Sequence, residues 1–454
     1  MARISFWNGT LVTGSAIAAL LSMTIVAASM AVAQDANPAP AAAKSGDVLI
    51  AGGISTGFKS TNVAEIYDPA TKKFRVAAHL QKSRAGIAAA SLAKGSLKAR
   101  VLVAGGLTGM GDASIPDYRV KVEASDLVTA ELYDPATGNF QATGSLHHPR
   151  VLYSETPLED GTILIAGGYD PSLGTPTATA EIFNPTTGKF TATKGNMTKP
   201  RALHSGTLLP DGSVLIVGGL FNNGDTTSSA ELYDPKTGTF KATGDATIEG
   251  GVAGHTATLI EGCACKRDGE VLIAGGFNGM AFNHQDGTIN STSLYDPATG
   301  KFSSSGLDAL VDDRQMHTAT PIGKGKILIA GGSFGYLIVS ANVLSGGGDG
   351  GGFRDTAEIF DPATGTFACV KGETDTKPKG CKASMTSVRG GHSATLLSSG
   401  EILLAGGLGQ PQVQNVADIP VVKSAEIFDP KTNDFKAVGS MSIPHALDAA
   451  ALIE

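Results

Sequence analysis

The fold is decided by SVLIVGGLFNNGDTTSSAELYDPKTGTF (213–240). An apolar run ends on a glycine pair, a polar connection follows, and Glu-x-Tyr-Asp-Pro leads through a turn to a closing Phe. The same order recurs seven times, with glycine pairs at Gly52-Gly53, Gly105-Gly106, Gly167-Gly168, Gly218-Gly219, Gly275-Gly276, Gly331-Gly332 and Gly406-Gly407. The closing residues are Phe74, Phe140, Phe190, Phe240, Phe302, Phe367 and Phe435. Ahead of each apolar run stands another strand-like piece such as PRALHSGTLL (200–209), joined to it by a polar turn such as PDG (210–212). Pro presets the backbone of the Asp-Pro turns and Gly supplies a positive φ, so neighbouring pieces read as hairpins. Each unit is too small to bury its own core and must stack on the next. Four strands in a period of roughly 50 residues therefore predict an all-β fold, a seven-bladed β-propeller of four-stranded meanders.

The second strand of each unit is apolar throughout, as expected of a sheet covered on both faces. The ends of the repeat array carry more information. DVLIAGG (47–53) is a second strand with no first strand ahead of it, and PHALDAAALIE (444–454) matches a first strand with nothing after it. The C-terminal strand is expected to complete the N-terminal blade, closing the ring and removing an exposed sheet edge.

Composition fits this reading. There are 59 glycines among 454 residues, where average usage gives roughly 32, yet 42% of residues are hydrophobic, so the excess belongs to turns. Net charge is −7 with no basic run, which leaves no electrostatic footprint for nucleic acid. Residues 1–33 read as an export signal: Arg3 is their only charge, an apolar run follows from Ala16 to Ala28, and Ala31-Val32-Ala33 has the form that signal peptidase accepts. Cleavage is placed before Gln34, with an uncleaved membrane anchor as the alternative. An Ala/Pro-rich linker (34–44) and the propeller (45–454) follow. The expectation is a secreted or periplasmic monomer, without stable membrane insertion once the signal is removed.

In an oxidising compartment disulfides are the default for four cysteines. Cys369 and Cys381 bracket the 368–388 loop and are predicted to be bridged. Cys263 and Cys265 share a first-to-second turn at the opposite end of the blades, either bridged locally or reduced.

The glycine pair, the following Glu-x-Tyr/Phe-Asp-Pro and the closing aromatic together resemble kelch-repeat propellers, over nearly all of 45–454. The Asp-Pro-x-Thr-Gly variant resembles bacterial kelch repeats, and the central domain of galactose oxidase is similar. One departure is consistent: the kelch aromatic, usually Trp, is Phe in all seven units. The resemblance implies a module that binds a protein or a glycan through long loops on one face. It also implies an alternative, a sugar-processing enzyme such as an aldose mutarotase with an acid–base pair at the channel mouth. The copper-radical chemistry of galactose oxidase is not expected. Tyr67, Tyr133, Tyr233 and Tyr295 belong to the repeat, and Tyr118, Tyr153, Tyr169 and Tyr336 make no matching constellation. No cofactor and no metal are expected.

Arg84, Arg150, Arg201, Arg314 and Arg389 stand at the starts of first strands, with Val252 and His445 in the remaining two units. As a ring of positive charge they would line the channel mouth and take an acidic ligand, with Tyr118 and Tyr336 contributing from the long loops. The competing reading pairs them with Glu131, Glu181, Glu231, Glu358 and Glu426, which open the third strands. Arginine and glutamate are lost together where Val252 meets Ser293, which favours pairing, and His445 would meet Glu65. The two strands lie about 9.6 Å apart, and the glycines between them have no side chain to block the path. His204, His255, His317 and His392 recur three residues later, with Ile87, Tyr153 and Asp448 in the other units. Spread around a ring, they are expected to be buried, hydrogen-bonded imidazoles and not metal ligands. Variable connections at 107–130, 277–292, 333–357, 368–388 and 408–425 are expected on one face, where binding is most readily placed.

Overall fold

The computed structural model describes residues 42–107, 127–221, 224–278, 287–304, 306–335, 338–340, 343–345, 352–373, 380–410 and 419–454. The expected signal, most of the linker, Tyr118, Tyr336 and central parts of all five long connections lie outside the described residues.

Among the described residues are seven four-stranded antiparallel sheets. The fourth blade is typical: Ser205–Leu208, Val214–Val217, Ser229–Asp234 and Thr239–Asp245 follow one another as a meander. The first blade differs, because its innermost strand comes from the other end of the chain. Ala449–Leu452 pairs antiparallel with Val48–Ala51, in the register Val48↔Leu452 to Ala51↔Ala449. Ala64–Asp68 and Lys73–Val76 complete that sheet. The protein is thus a seven-bladed propeller closed by its C-terminal strand.

Packing shows why the second strand must be apolar on both faces. Leu49 and Ala51 pack with Val101 and Val103 of the next blade, while Val48 and Ile50 pack with Leu403 and Ala405 of the previous one. The same split repeats around the ring, so alternate side chains of each second strand feed two different inter-blade cores. Each closing Phe packs against the aromatic of its own third strand, at centroid distances of 4.8–5.1 Å. These tilted pairs join the inter-blade cores; Tyr133 and Phe140, for example, meet Leu49 and Ile66 of the preceding blade.

The glycine pair is where blades touch through backbone. Gly168 N–H donates to Arg201 O of the next blade, and the equivalent bond occurs at all seven junctions at 2.7–3.0 Å, from Gly53 to Arg84 through Gly407 to His445. Gly167 and Gly168 have φ of 60° and 97°. A Cβ on Gly167 would lie 2.7 Å from Arg201 O, and one on Gly168 2.9 Å from Val151 O. Both conformation and clearance therefore demand glycine.

Two disulfides are present, Cys369–Cys381 and Cys263–Cys265, and no cysteine is free.

Closure makes a specific prediction. Deleting residues 441–454 removes the inner strand of the first blade and the acceptor carbonyl of His445. Differential scanning calorimetry is expected to show loss of the single cooperative transition. An intact transition at an unchanged temperature would show that the ring does not need its clasp.

Candidate functional site

A four-residue segment precedes each first strand, and each of its positions has a distinct environment. In the fourth blade it is Arg201-Ala202-Leu203-His204, and in the closing blade His445-Ala446-Leu447-Asp448.

The first position holds the charge network. Arg84, Arg150, Arg201, Arg314 and Arg389 are completely buried. Their guanidinium groups meet Glu131, Glu181, Glu231, Glu358 and Glu426 at 2.7–2.9 Å. Each Nη1 also donates to the carbonyl of the first glycine of its own pair, at 2.5–2.7 Å. The carboxylates have a second duty, accepting backbone N–H groups of the incoming chain from Gln81, His147, Thr198, Val311 and Thr386 at 2.6–2.8 Å. Burial lowers the guanidinium pKa of Arg150, Arg201 and Arg389, opposed by the glutamate beside each. In the blade without arginine, Ser293 keeps the backbone duty alone: Thr247 N–H reaches its Oγ at 3.3 Å. In the closing blade His445 Nε2 lies 3.4 Å from Glu65 Oε1.

These arginines consequently do not line the cavity at the centre of the ring. An anion-binding ring is physically closed to them, because every guanidinium faces its own carboxylate and glycine carbonyl with no exposed surface. Tyr118 and Tyr336 fall outside the described residues.

The third position forms the neck of the channel. Gly86, Leu152, Leu203, Gly254, Met316, Gly391 and Leu447 all have left-handed backbones, φ 51–65°. Each N–H donates to the carbonyl of the equivalent residue in the preceding blade, at 2.8–3.3 Å, and Gly86 donates to Leu447 O to close the circle. A seven-membered girdle of backbone hydrogen bonds results. Glycine adopts this conformation readily, whereas the leucines and the methionine hold it at a cost of about 1 kcal/mol or more each. Above the girdle sits a cavity of about 350 Å³, walled by Leu152, Leu203, Met316 and Leu447, with Leu220 and Phe277 from the second-to-third connections.

The fourth position supplies the polar part of the wall. His204, His255, His317 and His392 reach back through Nε2 to Ser154, Ser205, Thr256 and Thr318 of the preceding blade at 2.9–3.0 Å. Burial, aided by neighbouring arginines, pushes His204, His255 and His317 down to about 3 and His392 well below its ordinary value. The imidazoles are therefore neutral, and among the described residues no three of them share metal-like spacing. Tyr153 takes this place in the third blade and donates to Ala104 O at 2.6 Å. Asp448 takes it in the closing blade, and neither of its oxygens makes a hydrogen bond of good geometry. Burial raises its carboxyl to about 6, with the His445 charge opposing. Glu155, on the innermost strand of the third blade, is likewise without a partner, and burial raises it to about 8.

Among the described residues one trio has metal-like spacing, Asp312, Glu358 and Cys381. The Cys381 sulfur is bound to Cys369, and both carboxylates are held by Arg314, at 3.3 and 2.8 Å. The trio is a structural charge network.

Sequence reasoning placed the histidines and their equivalents in one register but did not identify the girdle. The available signal was the third position itself, which is Gly in three units and a long apolar residue in four.

Residues 160–193, within the third blade, match the Kelch motif. The solved structure of YjhT is similar to this chain with a TM-score of 0.52 and 12% identity, covering 78% of this chain and 97% of that one. At that identity the likeness is one of fold. No curated protein matches the sequence.

Two predictions arise from this geometry. Arg201→Met or Glu231→Leu alone leaves a buried charge unpaired and is expected to cost about 3–5 kcal/mol, and the double variant far less than the sum. Urea unfolding of the full cycle measures this; simple additivity would contradict the pairing. The second concerns acid. The four imidazoles are depressed, so the unfolded chain binds more protons than the folded one below about 6.5, down to about 3 for His204, His255 and His317. Their contribution is fully present above about 6.5 and is lost as pH falls, by up to ~1.4 kcal/mol per pH unit for each histidine. Asp448 and Glu155, being raised, act in the opposite sense and weaken the fold as pH climbs through their own titrations. Replacing all four histidines by Asn is expected to flatten the melting temperature between pH 6.5 and 4; an unchanged profile would contradict burial of neutral imidazole.

Proposed function

We propose that this seven-bladed propeller with its kelch motif is a binding module that takes a glycan at the long-loop face, with the channel-mouth cavity holding one sugar residue. The observation that carries the reading is the cavity itself, built on four strained non-glycine residues at the centre of that face. Strain of this kind persists where surrounding structure over-determines it, and functional sites are where it collects. The wall is apolar at Leu152, Leu203, Met316 and Leu447 and polar at Asp448, which suits a ring with one C–H face and hydroxyl edges. With the arginines buried and paired, a neutral ligand fits better than an acidic one. A concave site of this size also favours a small saccharide unit over a flat protein contact. The expected signal at 1–33 and the two disulfides support an extracytoplasmic setting, secreted or periplasmic.

One observation favours a second reading. Asp448 is a carboxyl raised by burial to about 6 beside the cavity, with the His445 charge and the Ser393 hydroxyl opposing the shift, and such a group can move a proton near neutral pH. An acid–base enzyme such as an aldose mutarotase would need a group of this kind.

A glycan array followed by calorimetric titration of the full chain tests both. A hit is expected to lose about tenfold or more in affinity, or ~1.4 kcal/mol, in Leu203→Trp, whose indole fills the cavity while the melting temperature holds. Undiminished binding by a folded Leu203→Trp would remove the cavity from the site. Asp448→Asn separates the readings: a binding module keeps most of its affinity, whereas an enzyme loses anomeric exchange measured by NMR.

A further inference from the structure

At the opposite end of the fifth blade, the chain between first and second strands departs from its neighbours. In four blades this connection is a tight turn, as where Leu209 N–H donates to Ser213 O and Leu397 N–H to Glu401 O, both at 2.8 Å. In the fifth, Ile260 N–H reaches Glu270 O at 2.9 Å, and the added residues carry Cys263 and Cys265. The longer turn is anchored without its disulfide. Arg267, only 4% exposed, donates to Pro362 O of the neighbouring blade at 2.6 Å and to Gly306 O, in the connection leading to that blade, at 2.8 Å. Cys263 N–H donates to Asp268 Oδ1 at 3.1 Å, and Asp268 N–H to Cys265 O at 3.3 Å.

The bond between the two sulfurs joins residues two apart in sequence. Closing so short a loop removes little freedom from the unfolded chain and fastens no distant segment. Cys369–Cys381 is unlike it: twelve residues apart, with Cys381 buried and its N–H donating to Asp312 Oδ1 at 3.3 Å. Around the short pair, Ala264 and Lys266 are exposed and both cysteines half-exposed. A disulfide that is accessible, dispensable for the fold and held on a fixed platform has the attributes of an exchanging bond.

We infer that Cys263–Cys265 is a thiol–disulfide exchange site whose reaction partner is an accessible dithiol, on a peptide or a small molecule. The partner's thiolate attacks Cys265 Sγ, because Cys263 packs into the apolar cluster with Ile260 and Phe360. A mixed disulfide forms and Cys263 leaves as thiolate. The partner's second thiol, losing its proton, attacks the partner's sulfur in that mixed disulfide and releases Cys265. The partner ends as a disulfide, two electrons and two protons having passed to the Cys263/Cys265 dithiol.

The test equilibrates the full chain in glutathione buffers of graded poise, traps thiols with N-ethylmaleimide and quantifies each pair by peptide mass spectrometry. Cys263–Cys265 is expected to be half-reduced at a [GSH]²/[GSSG] ratio at least about tenfold lower than Cys369–Cys381, equivalent to ~30 mV, with circular dichroism unchanged. Opening of both pairs together, or of Cys369–Cys381 first, overturns the inference. Oxidation of a dithiol peptide by the intact chain, and none by Cys263→Ser/Cys265→Ser, is the second expected result; equal oxidation by both overturns it. Cys263→Ser is expected to take up glutathione from its disulfide about tenfold faster than Cys265→Ser, and the reverse order overturns the assignment of the attacked sulfur.

Discussion

The hydrogen bond from each glycine pair to the next blade's carbonyl is the constraint on which the rest of the molecule depends. It brings two backbones so close that no side chain fits between them, as the contact of Gly167 with Arg201 O shows. Once the second strand must end on two glycines, no side chain is left there to shield the polar groups at the inner corner of the blade. Arg201 fills that corner, with its guanidinium on the Gly218 carbonyl and on Glu231. The glutamate in turn fixes the incoming chain through Thr198 N–H. Junction, ion pair and strand start are therefore one unit. The blade with Val252 and Ser293 shows that the junction survives without the charges, since Gly219 still donates to Val252 O.

Much of this was readable in the chain because it is repeated. Seven copies serve as internal comparisons, so the joint loss of Arg and Glu stands out against five blades that have both. The closure was readable for a similar reason, an unmatched second strand at one end and an unmatched first strand at the other. The cavity was much less legible. A left-handed backbone at Leu152 or Leu203 leaves no mark in residue type, since leucine there looks like any apolar residue entering a strand. Its conformation is imposed by the partner carbonyls around the ring, which local sequence does not encode. Asp448 and Tyr153 were visible as occupants of the histidine position. Their burial, and the raised carboxyl of Asp448, depend on which way the innermost strand turns its side chains.

The arginines illustrate how a sequence pattern can point toward function while the packing gives it to structure. Five positive charges on one face of an acidic protein suggest an anion site. Their complete burial and the matching carboxylates leave no field for a ligand to sense. Among the residues that break the repeat, Asp448 stands beside the cavity with its carboxyl raised by burial.

The girdle has a consequence for hydrogen bonding. Each of its seven residues turns its N–H to one neighbour and its C=O to the other, so all seven donors and all seven acceptors are spent within the ring. A helix terminus leaves such backbone groups open to a ligand; this circle leaves none of its own. A molecule entering the throat of the propeller therefore finds its partners among side chains and not in the aperture's backbone.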